Sequence, residues 1–307
     1  MPTLLPSMVI LVIDEVIANK SVLVLSLLWH VGSGLPYNWR IGPSDSSERE
    51  HALSMFKELP RKALVVADAG FIGYDFWSTM LECRVDFLVR VGANVTLLRK
   101  LGYATKEYGN TVYLWPKDKQ KTHPPLVLRL IRVHDGRSPL YLVTNLESDK
   151  LTDESAVEIY RRRWGIEVFF RTLKQTFDRR KLRSKAATNA PLELEWSLIA
   201  LWGMSLIGEE CVQKTGIDIA YTSPAKVLKA FAMAIREYRV PLEDWEEGLL
   251  ETLQTALQDE YIRSSAKTNK EYPRKTEKKK LHEPVLITAT NETKMRAKEW
   301  KKERMIT

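Results

Sequence analysis

Three nearly uninterrupted apolar runs limit what this chain can fold into. Residues 8–17 read MVILVIDEVI, residues 21–31 read SVLVLSLLWHV, and residues 64–71 read LVVADAGF. Runs this rich in β-branched side chains are typical of strands buried on both faces, as in a sheet that helices cover. Only Ala18-Asn19-Lys20 separates the first two runs, so they predict a β-hairpin. The pattern favours a mixed α/β fold.

Helical and strand-like patterns alternate along the rest of the chain. Ser47 and Glu50 have the spacing of a capping box, which predicts a helix start there. A helix over 74–83 and a strand over 86–91 follow. Residues 92–150 are rich in strand-like segments around turns, which predicts a β-rich insertion. Further helical patterns cover 152–177, 191–213, 223–237 and 243–260.

The charge of the chain is concentrated at its C-terminal end. The 307 residues carry 47 Lys and Arg against 39 Asp and Glu, a net charge of +8. Residues 263–307 hold 14 of the basic and 6 of the acidic side chains, which accounts for the whole excess. A basic segment of this kind indicates a polyanionic partner such as DNA, and the alternative is a solvated terminus.

Cysteine usage and hydropathy exclude several classes of protein. Cys83 and Cys211 are far apart and lack the spacing of metal ligands, which favours a reducing, cytoplasmic environment over a disulfide scaffold. The uncharged stretches 2–13 and 21–39 are unsuited to cross a bilayer, because the first is too short and the second contains turn residues. We therefore expect no membrane partner and no secretory signal.

The segment 152–177 carries the most specific polar pattern. At 100° per residue, its charged and phenolic side chains fall on one face of a helix and its apolar side chains on the other. The polar face holds Tyr160, Arg163, Glu167, Arg171 and Lys174. One carboxylate among four such neighbours indicates a site for phosphate or metal, and the alternative is a solvated face with ion pairs between residues i and i+4.

Asp68 is the second candidate carboxylate. It directly follows a buried strand and precedes Gly70, so it is expected at the carboxyl end of a sheet, where open α/β sheets bind ligands. The alternative, for Asp68 taken alone, is an ordinary turn residue at the end of a strand. Asp68 and Glu167 together could share Mg²⁺, because that ion prefers oxygen ligands. Two such ions can activate water and stabilise the leaving oxygen in phosphodiester cleavage.

The neighbours of Glu167 suit a nucleic-acid substrate. Arg163 and Lys174 would hold DNA phosphates, while Tyr160 and Trp164 offer surfaces for an unpaired base.

The spacing Tyr160-x2-Arg163-x3-Glu167-x6-Lys174 resembles the YREK motif of DDE transposases of the insertion-sequence-four group. The resemblance extends through WHVGSGLPYNWRIGPSDSSERE, LVVADAGFIGYDFW and the region from EIYRRRWGIE to EWSLIALW, nearly the whole chain from about residue 21. By motif match, Asp68 corresponds to the second catalytic Asp of that family.

The resemblance implies a fold, a reaction and partners. It implies a ribonuclease-H-like core interrupted by a β-rich insertion, followed by a helical C-terminal region. It implies DNA cleavage and strand transfer at the ends of an insertion sequence with two Mg²⁺ ions, in which Glu167 is the catalytic Glu. Tyr160, Arg163 and Lys174 match residues that hold terminal phosphates and a displaced base. The expected partners are double-stranded DNA and, in the DNA complex, a second copy of the chain, with the protein associated with the nucleoid.

These patterns predict five segments. They are 1–91, the first part of the core; 92–150, the insertion; 151–190, the core helix with Glu167; 191–262, the helical region; and 263–307, a basic, disordered tail.

One departure from the family pattern concerns the first catalytic Asp. The chain has no DG-type motif for it, and it offers two strands before the first helix where such a core has three. We therefore expect that the reading frame is truncated or frameshifted, and that the protein binds DNA without cleaving it. Asp14 is the only nearby substitute, or else a simple hairpin residue. The alternative functions are a DNA-binding remnant of a transposase and an interaction protein that uses its helical C-terminal third.

Overall fold

The computed structural model describes residues 8–18, 21–91, 102–104, 110–134, 139–184, 186, 188–215, 223–236, 287–288, 290–296 and 299. The fold is mixed α/β. In chain order its elements are β1 (Met8–Ala18), β2 (Ser21–His30), β3 (Leu35–Pro43), α1 (Glu48–Phe56), β4 (Leu64–Ala67), α2 (Tyr74–Glu82), β5 (Asp86–Val91), β6 (Gly102–Ala104), β7 (Thr111–Leu114), β8 (Leu126–His134), β9 (Pro139–Thr144), α3 (Asp153–Arg162), α4 (Trp164–Arg171), a π-helical turn (Thr172–Thr176), β10 (Lys181–Leu182), α5 (Asn189–Thr215), α6 (Pro224–Arg236) and β11 (Ile287–Thr288).

The chain divides into two compact units. The first unit comprises Met1–Leu11, Ala52–Arg162 and Lys278–Thr307, and the second comprises Val12–His51 and Arg163–Glu277. Strand β1 and helix α1 contribute residues to both units.

The first unit is built on a mixed sheet. Its strands follow the order β11, β6, β7, β8, β9, β5, β4 and β1. Strand β4 pairs in parallel with β5 and with Met8–Leu11 of β1, whereas β9, β8, β7 and β6 continue the sheet in antiparallel fashion. All four residues of β4 are buried, as its continuous apolar run predicts. The strands predicted within residues 92–150 are present as β7, β8 and β9.

Aromatic packing and buried polar anchors stabilise this unit. The Trp77 ring of α2 stacks on Phe87 of β5 with 5.3 Å between ring centroids, and its indole N–H donates to the Phe71 carbonyl at 2.9 Å. The buried guanidinium of Arg129 donates to the carbonyl of Leu151 and lies 3.6 Å from Asp153, which fixes the start of α3. The Thr152 hydroxyl caps that helix by accepting the backbone N–H of Ser155 at 3.1 Å.

Part of the segment predicted to be a disordered tail is ordered. Strand β11 pairs in parallel with β6, and residues 291–296 are helical. The Arg296 guanidinium lies 5.3 Å from the centre of the Trp115 ring and donates to the carbonyl of Gln120. This part of the C-terminal segment packs against Trp115 and Gln120 because an arginine can stack on an aromatic face while donating hydrogen bonds.

The second unit contains two strands that the sequence analysis did not predict, β3 and β10. In this unit β1 neighbours β2, β2 pairs antiparallel with β3, and β10 pairs in parallel with Ile17 and Ala18 of β1. The expectation of only two strands before the first helix is therefore wrong. Pro36 and Pro43 make β3 resemble a turn segment, but β3 lies at the end of the strand order, where proline is tolerated because one side of the strand needs no hydrogen bonds.

The helices of the second unit confirm the predicted ranges with one change. Helix α5 covers the predicted segment 191–213, and α6 lies within the predicted segment 223–237. The predicted helix over 152–177 is interrupted at Arg163 and ends in the π-helical turn. Gly165 lowers helix propensity at the interruption, and the Ile166 N–H bonds three residues back to the Arg163 carbonyl.

The helical pattern over 243–260 lies outside the described residues, as does most of the predicted tail over 263–307. Within the described part of the chain, no helix combines the length and the apolar character that crossing a bilayer requires.

Helix α5 contains a buried acid with an unusual proton affinity. Burial raises the pKa of Glu209 to about 8 from an ordinary value of 4.5, because the low-polarity interior penalises the charged form. A raised pKa of an acid means that the folded state binds the proton more tightly. The contribution of Glu209 to stability is therefore fully present below the pKa of this group in the unfolded chain. It is lost as the pH rises towards the pKa of the group in the folded protein.

We expect Glu209→Gln to stabilise the protein over wild type by roughly 3 kcal/mol near pH 9 and to change little near pH 5. Urea denaturation at both pH values measures this difference. Glu210→Gln is the control, because that neighbouring carboxylate is exposed and paired with Lys214 at 3.1 Å. Equal pH dependence in wild type and Glu209→Gln would contradict the assignment.

Candidate functional site

Asp68 lies at the carboxyl end of β4, as predicted. It opens a tight turn in which the Phe71 N–H bonds to the Asp68 carbonyl at 3.1 Å. Its Oδ1 accepts the backbone N–H of Ala69 at 2.9 Å, which orients the carboxylate. The side chain is 42% exposed, and a Cβ added at Gly70 would meet no atom within 4 Å. The carboxylate is therefore held in place and open to solvent on one side.

Two further side chains converge on Asp68 within the first unit. The Tyr160 hydroxyl of α3 donates to Oδ1 at 3.4 Å, and Nη1 of Arg90 lies 3.6 Å from the same oxygen. Arg90 lies on β5, whose parallel register with β4 pairs Val89 with Ala67 and so brings the next residue beside Asp68. The result is a carboxylate, a phenol and a guanidinium at one point, a combination that can bind both a cation and a phosphate.

Arg90 is the site residue that the sequence reasoning missed. Its only local signal is a charge inside the otherwise apolar strand DFLVRV. Its relation to Asp68 depends on strand register, which the sequence did not reveal.

Glu167 and Arg163 form a pair in the second unit. Nη1 of Arg163 lies 3.5 Å from Oε1 of Glu167, with the guanidinium 14% exposed and the carboxylate 46% exposed. The i,i+4 ion pair that the sequence left open as an alternative is thus present. It does not exclude a catalytic role, because an ion pair with one face open leaves carboxylate lone pairs for another ligand.

Buried aromatic side chains fix the helix that carries Glu167. Ile166, Phe169, Phe170 and Leu173 are all buried, as the predicted apolar face requires. Phe169 packs against Trp29 of β2 with 5.1 Å between ring centroids and against Phe170 at 5.9 Å. This packing orients α4 so that the opposite face, with Glu167, is accessible.

The π-helical turn displaces the last residue of the motif from ideal helical spacing. Lys174 lies in this turn and is half-buried. The Thr172 hydroxyl donates to the Val168 carbonyl at 2.9 Å at its start. Because a π-helical turn and the interruption at Arg163 both change the angle per residue, the uniform 100° used for the predicted polar face does not hold along its length.

The predicted site residues thus form two groups. Asp68 and Tyr160 belong to the first unit, and Arg163, Glu167 and Lys174 belong to the second. Trp164 begins α4, and its side chain is outside the described part of the structure. The approach of the Asp68 and Glu167 carboxylates to within roughly 4–8 Å, which shared metal ions require, stays a prediction.

The donor chemistry suits a divalent cation. Asp68 and Glu167 offer partly exposed carboxylate oxygens, the ligands that Mg²⁺ prefers. Among the residues that the structure describes, no three His, Cys, Asp or Glu side chains form a ready-made metal-binding cluster.

Comparison with known proteins gives three results. The family described as Transposase DDE domain matches residues 18–202, more than half of the chain. A putative transposase for insertion sequence element IS4SA from Synechocystis sp. (strain ATCC 27184 / PCC 6803 / Kazusa) is 24% identical over 184 residues, 58% of this chain and 51% of that protein. The chain therefore spans about half the length of this curated relative.

A cryo-EM structure of the piggyBac transposase synaptic complex with hairpin DNA has a TM-score of 0.44 and 13% identity, over 86% of this chain and 60% of that one.

The matched region contains Asp68, Tyr160, Arg163, Glu167 and Lys174. The chain belongs to the family of proteins with a transposase DDE domain.

Proposed function

We propose that this chain catalyses Mg²⁺-dependent DNA cleavage and strand transfer at the ends of an insertion sequence. The observation that carries the proposal is the oriented, solvent-open carboxylate of Asp68, contacted by Tyr160 and Arg90 in a chain of the DDE family. Asp68 and Glu167 would hold the metal ions. When bound, the ions supply an activated water and stabilise the leaving oxygen of the scissile phosphate.

The neighbouring side chains bind and orient DNA in this proposal. Arg163 and Lys174 hold DNA phosphates next to the cleavage position. Trp164 and Tyr160 contact a base that has left the DNA duplex. Tyr160 has a second task, because its hydroxyl contact with Oδ1 holds the Asp68 carboxylate in one orientation. Arg90 lowers the negative charge around Asp68 before substrate arrives and can then turn to a phosphate oxygen.

A ribonuclease-H-like core is part of the proposal. Its support is that β4 pairs in parallel with both β1 and β5 in the first unit, while β2 and β3 form an antiparallel pair in the second. Three strands precede the first helix, as such a core requires.

A DNA-binding remnant without catalysis is the alternative. With β3 present, the missing DG-type motif is the one observation that favours this alternative. Asp14 in β1 is the candidate for the first catalytic carboxylate.

A nicking assay tests the proposal. The substrate is supercoiled plasmid that carries both ends of the element, incubated with the protein in Mg²⁺ or in EDTA, beside a plasmid without the ends. We expect nicking and end joining only with Mg²⁺ and the ends. Binding to the ends without nicking in either Mg²⁺ or Mn²⁺ would establish the remnant instead.

We expect the basic C-terminal segment to add nonspecific DNA affinity. Replacement of Lys278, Lys279 and Lys280 by Gln should reduce the slope of log K against log[salt] by about 2–3, since each phosphate contact contributes about 0.9. Replacement of the same three residues by Arg keeps the charge and should keep the slope. This triple change is preferable to deletion, because removal of 263–307 would also remove β11. An unchanged slope for the Gln variant would show that these lysines do not contact DNA.

A further inference from the structure

Three exposed cations meet at the amino ends of β4 and β5 in the first unit. Arg61 and Lys62 lie in the loop before β4, and Arg84 lies in the loop before β5. The Lys62 backbone N–H donates to the Arg84 carbonyl at 2.8 Å, so the two loops are held side by side. We call these three residues, Arg61, Lys62 and Arg84, the amino-end cluster.

Arg84 occupies a backbone position that favours glycine. Its φ is 59°, in the left-handed region, and it follows the cap residue of α2. The Arg84 N–H donates to the Leu81 carbonyl at 2.9 Å. The N–H of the next residue, Val85, donates to the Met80 carbonyl at 3.0 Å. This pair of bonds is a Schellman motif, in which the left-handed residue is usually glycine.

Lys62 occupies a second position of this kind. Its φ is 64°, and it is the third residue of a turn that the Ala63 N–H closes by donating to the Pro60 carbonyl at 3.1 Å. Type II turns place glycine at the third position, because a side chain with a Cβ is disfavoured at positive φ. A cation at both positions indicates that the charge has a use that offsets the backbone cost.

The charges of the cluster are not neutralised by the surrounding protein. Among the residues that the structure describes, no carboxylate forms an ion pair with any of the three. The nearby Asp86 accepts a hydrogen bond from the Asn145 amide at 2.6 Å instead. The dipole of α2 favours a cation at its carboxyl end, which accounts for Arg84 but not for the other two members. Like charges this close together suit an anionic partner.

We propose that the amino-end cluster binds the phosphate backbone of duplex DNA away from the cleavage position. Asp68 follows the carboxyl end of β4, so the cluster lies at the opposite end of that strand, roughly 15–20 Å away at about 3.3 Å per residue. Phosphates bound there are therefore about five base pairs from a bond held at Asp68, at about 3.4 Å per base pair. Contacts of this kind add affinity and fix orientation without reading sequence. The choice of DNA over an acidic protein rests on the proposed function.

The double variant Lys62→Gly/Arg84→Gly tests the site, because stability and DNA affinity should change in opposite directions. Glycine relieves the left-handed backbone, so the urea midpoint should rise. Loss of two cations should lower the slope of log K against log[salt] by about 2 and weaken binding at least about tenfold. Fluorescence anisotropy with a random-sequence duplex in EDTA measures the binding.

Two further variants separate the backbone effect from the charge effect. Asp178→Gly is the backbone control, because Asp178 also has a left-handed φ of 53° but is acidic. It should raise the urea midpoint without weakening DNA binding. Arg61→Gln removes the member of the cluster whose backbone is not left-handed, and it should lower the salt slope by about 1 at an unchanged midpoint. Wild-type slopes in both Arg61→Gln and the double variant would overturn the proposal.

The result is separable from that of the nicking assay, because duplex binding is measured without Mg²⁺ and without the element's ends. If the wild type nicks and the double variant binds the duplex as tightly as the wild type, the cluster site is wrong and the proposed catalysis stands. If the wild type does not nick but the double variant binds the duplex more weakly, the cluster site stands and the proposed catalysis is wrong.

Discussion

Glu167→Gln will lower plasmid nicking by about 10³-fold or more while leaving the protein folded. The substitution keeps the shape of the side chain and an oxygen that can accept from Arg163, which lies 3.5 Å away in the wild type. It removes the negative charge that a divalent ion requires. Asp68→Asn should have a similar effect, because Oδ1 of Asp68 can still accept the Ala69 N–H when the charge is gone.

Initial rates of nicking in Mg²⁺, with circular dichroism as the measure of folding, provide the test. Glu158→Gln is the matched control, because Glu158 forms an ion pair with Arg162 at 3.3 Å on α3 and has the same i,i+4 geometry as Glu167 and Arg163. That variant should nick at the wild-type rate. Equal losses in both variants would show that the effect of Glu167→Gln comes from a lost ion pair rather than from the active site.

Asp14→Asn will abolish nicking to the same extent. Asp14 lies in β1, the strand that pairs in parallel with β4 through Met8–Leu11, and Asp68 directly follows β4. A third carboxylate on β1 would complete the set that the family uses. The absence of a DG-type motif then reflects a changed sequence around that residue rather than a lost residue.

Substitution of the neighbouring Glu15 is the matched control for Asp14→Asn. Successive residues of any strand alternate between the two faces of its sheet, so a single site is expected to use one of two adjacent carboxylates and not both. Glu15→Gln should therefore nick normally while Asp14→Asn is silent. If both variants nick like the wild type, no carboxylate of β1 takes part, and if only Glu15→Gln is silent, the assignment moves to Glu15.

Local patterns predicted the individual elements well. The apolar runs identified β1, β2 and β4, the capping box identified the start of α1, and periodicity identified α5. The Glu50 N–H does bond to the Ser47 hydroxyl, at 3.3 Å. These features depend on residues a few positions apart, so the sequence contains the information in full.

Strand β3 shows why other elements were missed. Its sequence, LPYNWRIGP, carries four residues of types that favour turns, two Pro, one Asn and one Gly. It is a strand because β2 supplies hydrogen-bonding partners from Leu23 to His30, with an irregularity after Leu28. Context of this kind overrides propensity, since strand formation depends on the neighbour as much as on the strand itself.

The sequence by itself determined the motif and the family to which it belongs. The contact between Arg163 and Glu167 also follows from spacing alone, because residues four apart lie side by side on a helix. The tertiary structure decided what surrounds Asp68. Tyr160 is 92 residues away in sequence and Arg90 lies on a different strand, so helix packing and strand register bring them together. Those long-range contacts depend on how whole elements bury their apolar faces, and no local spacing encodes that.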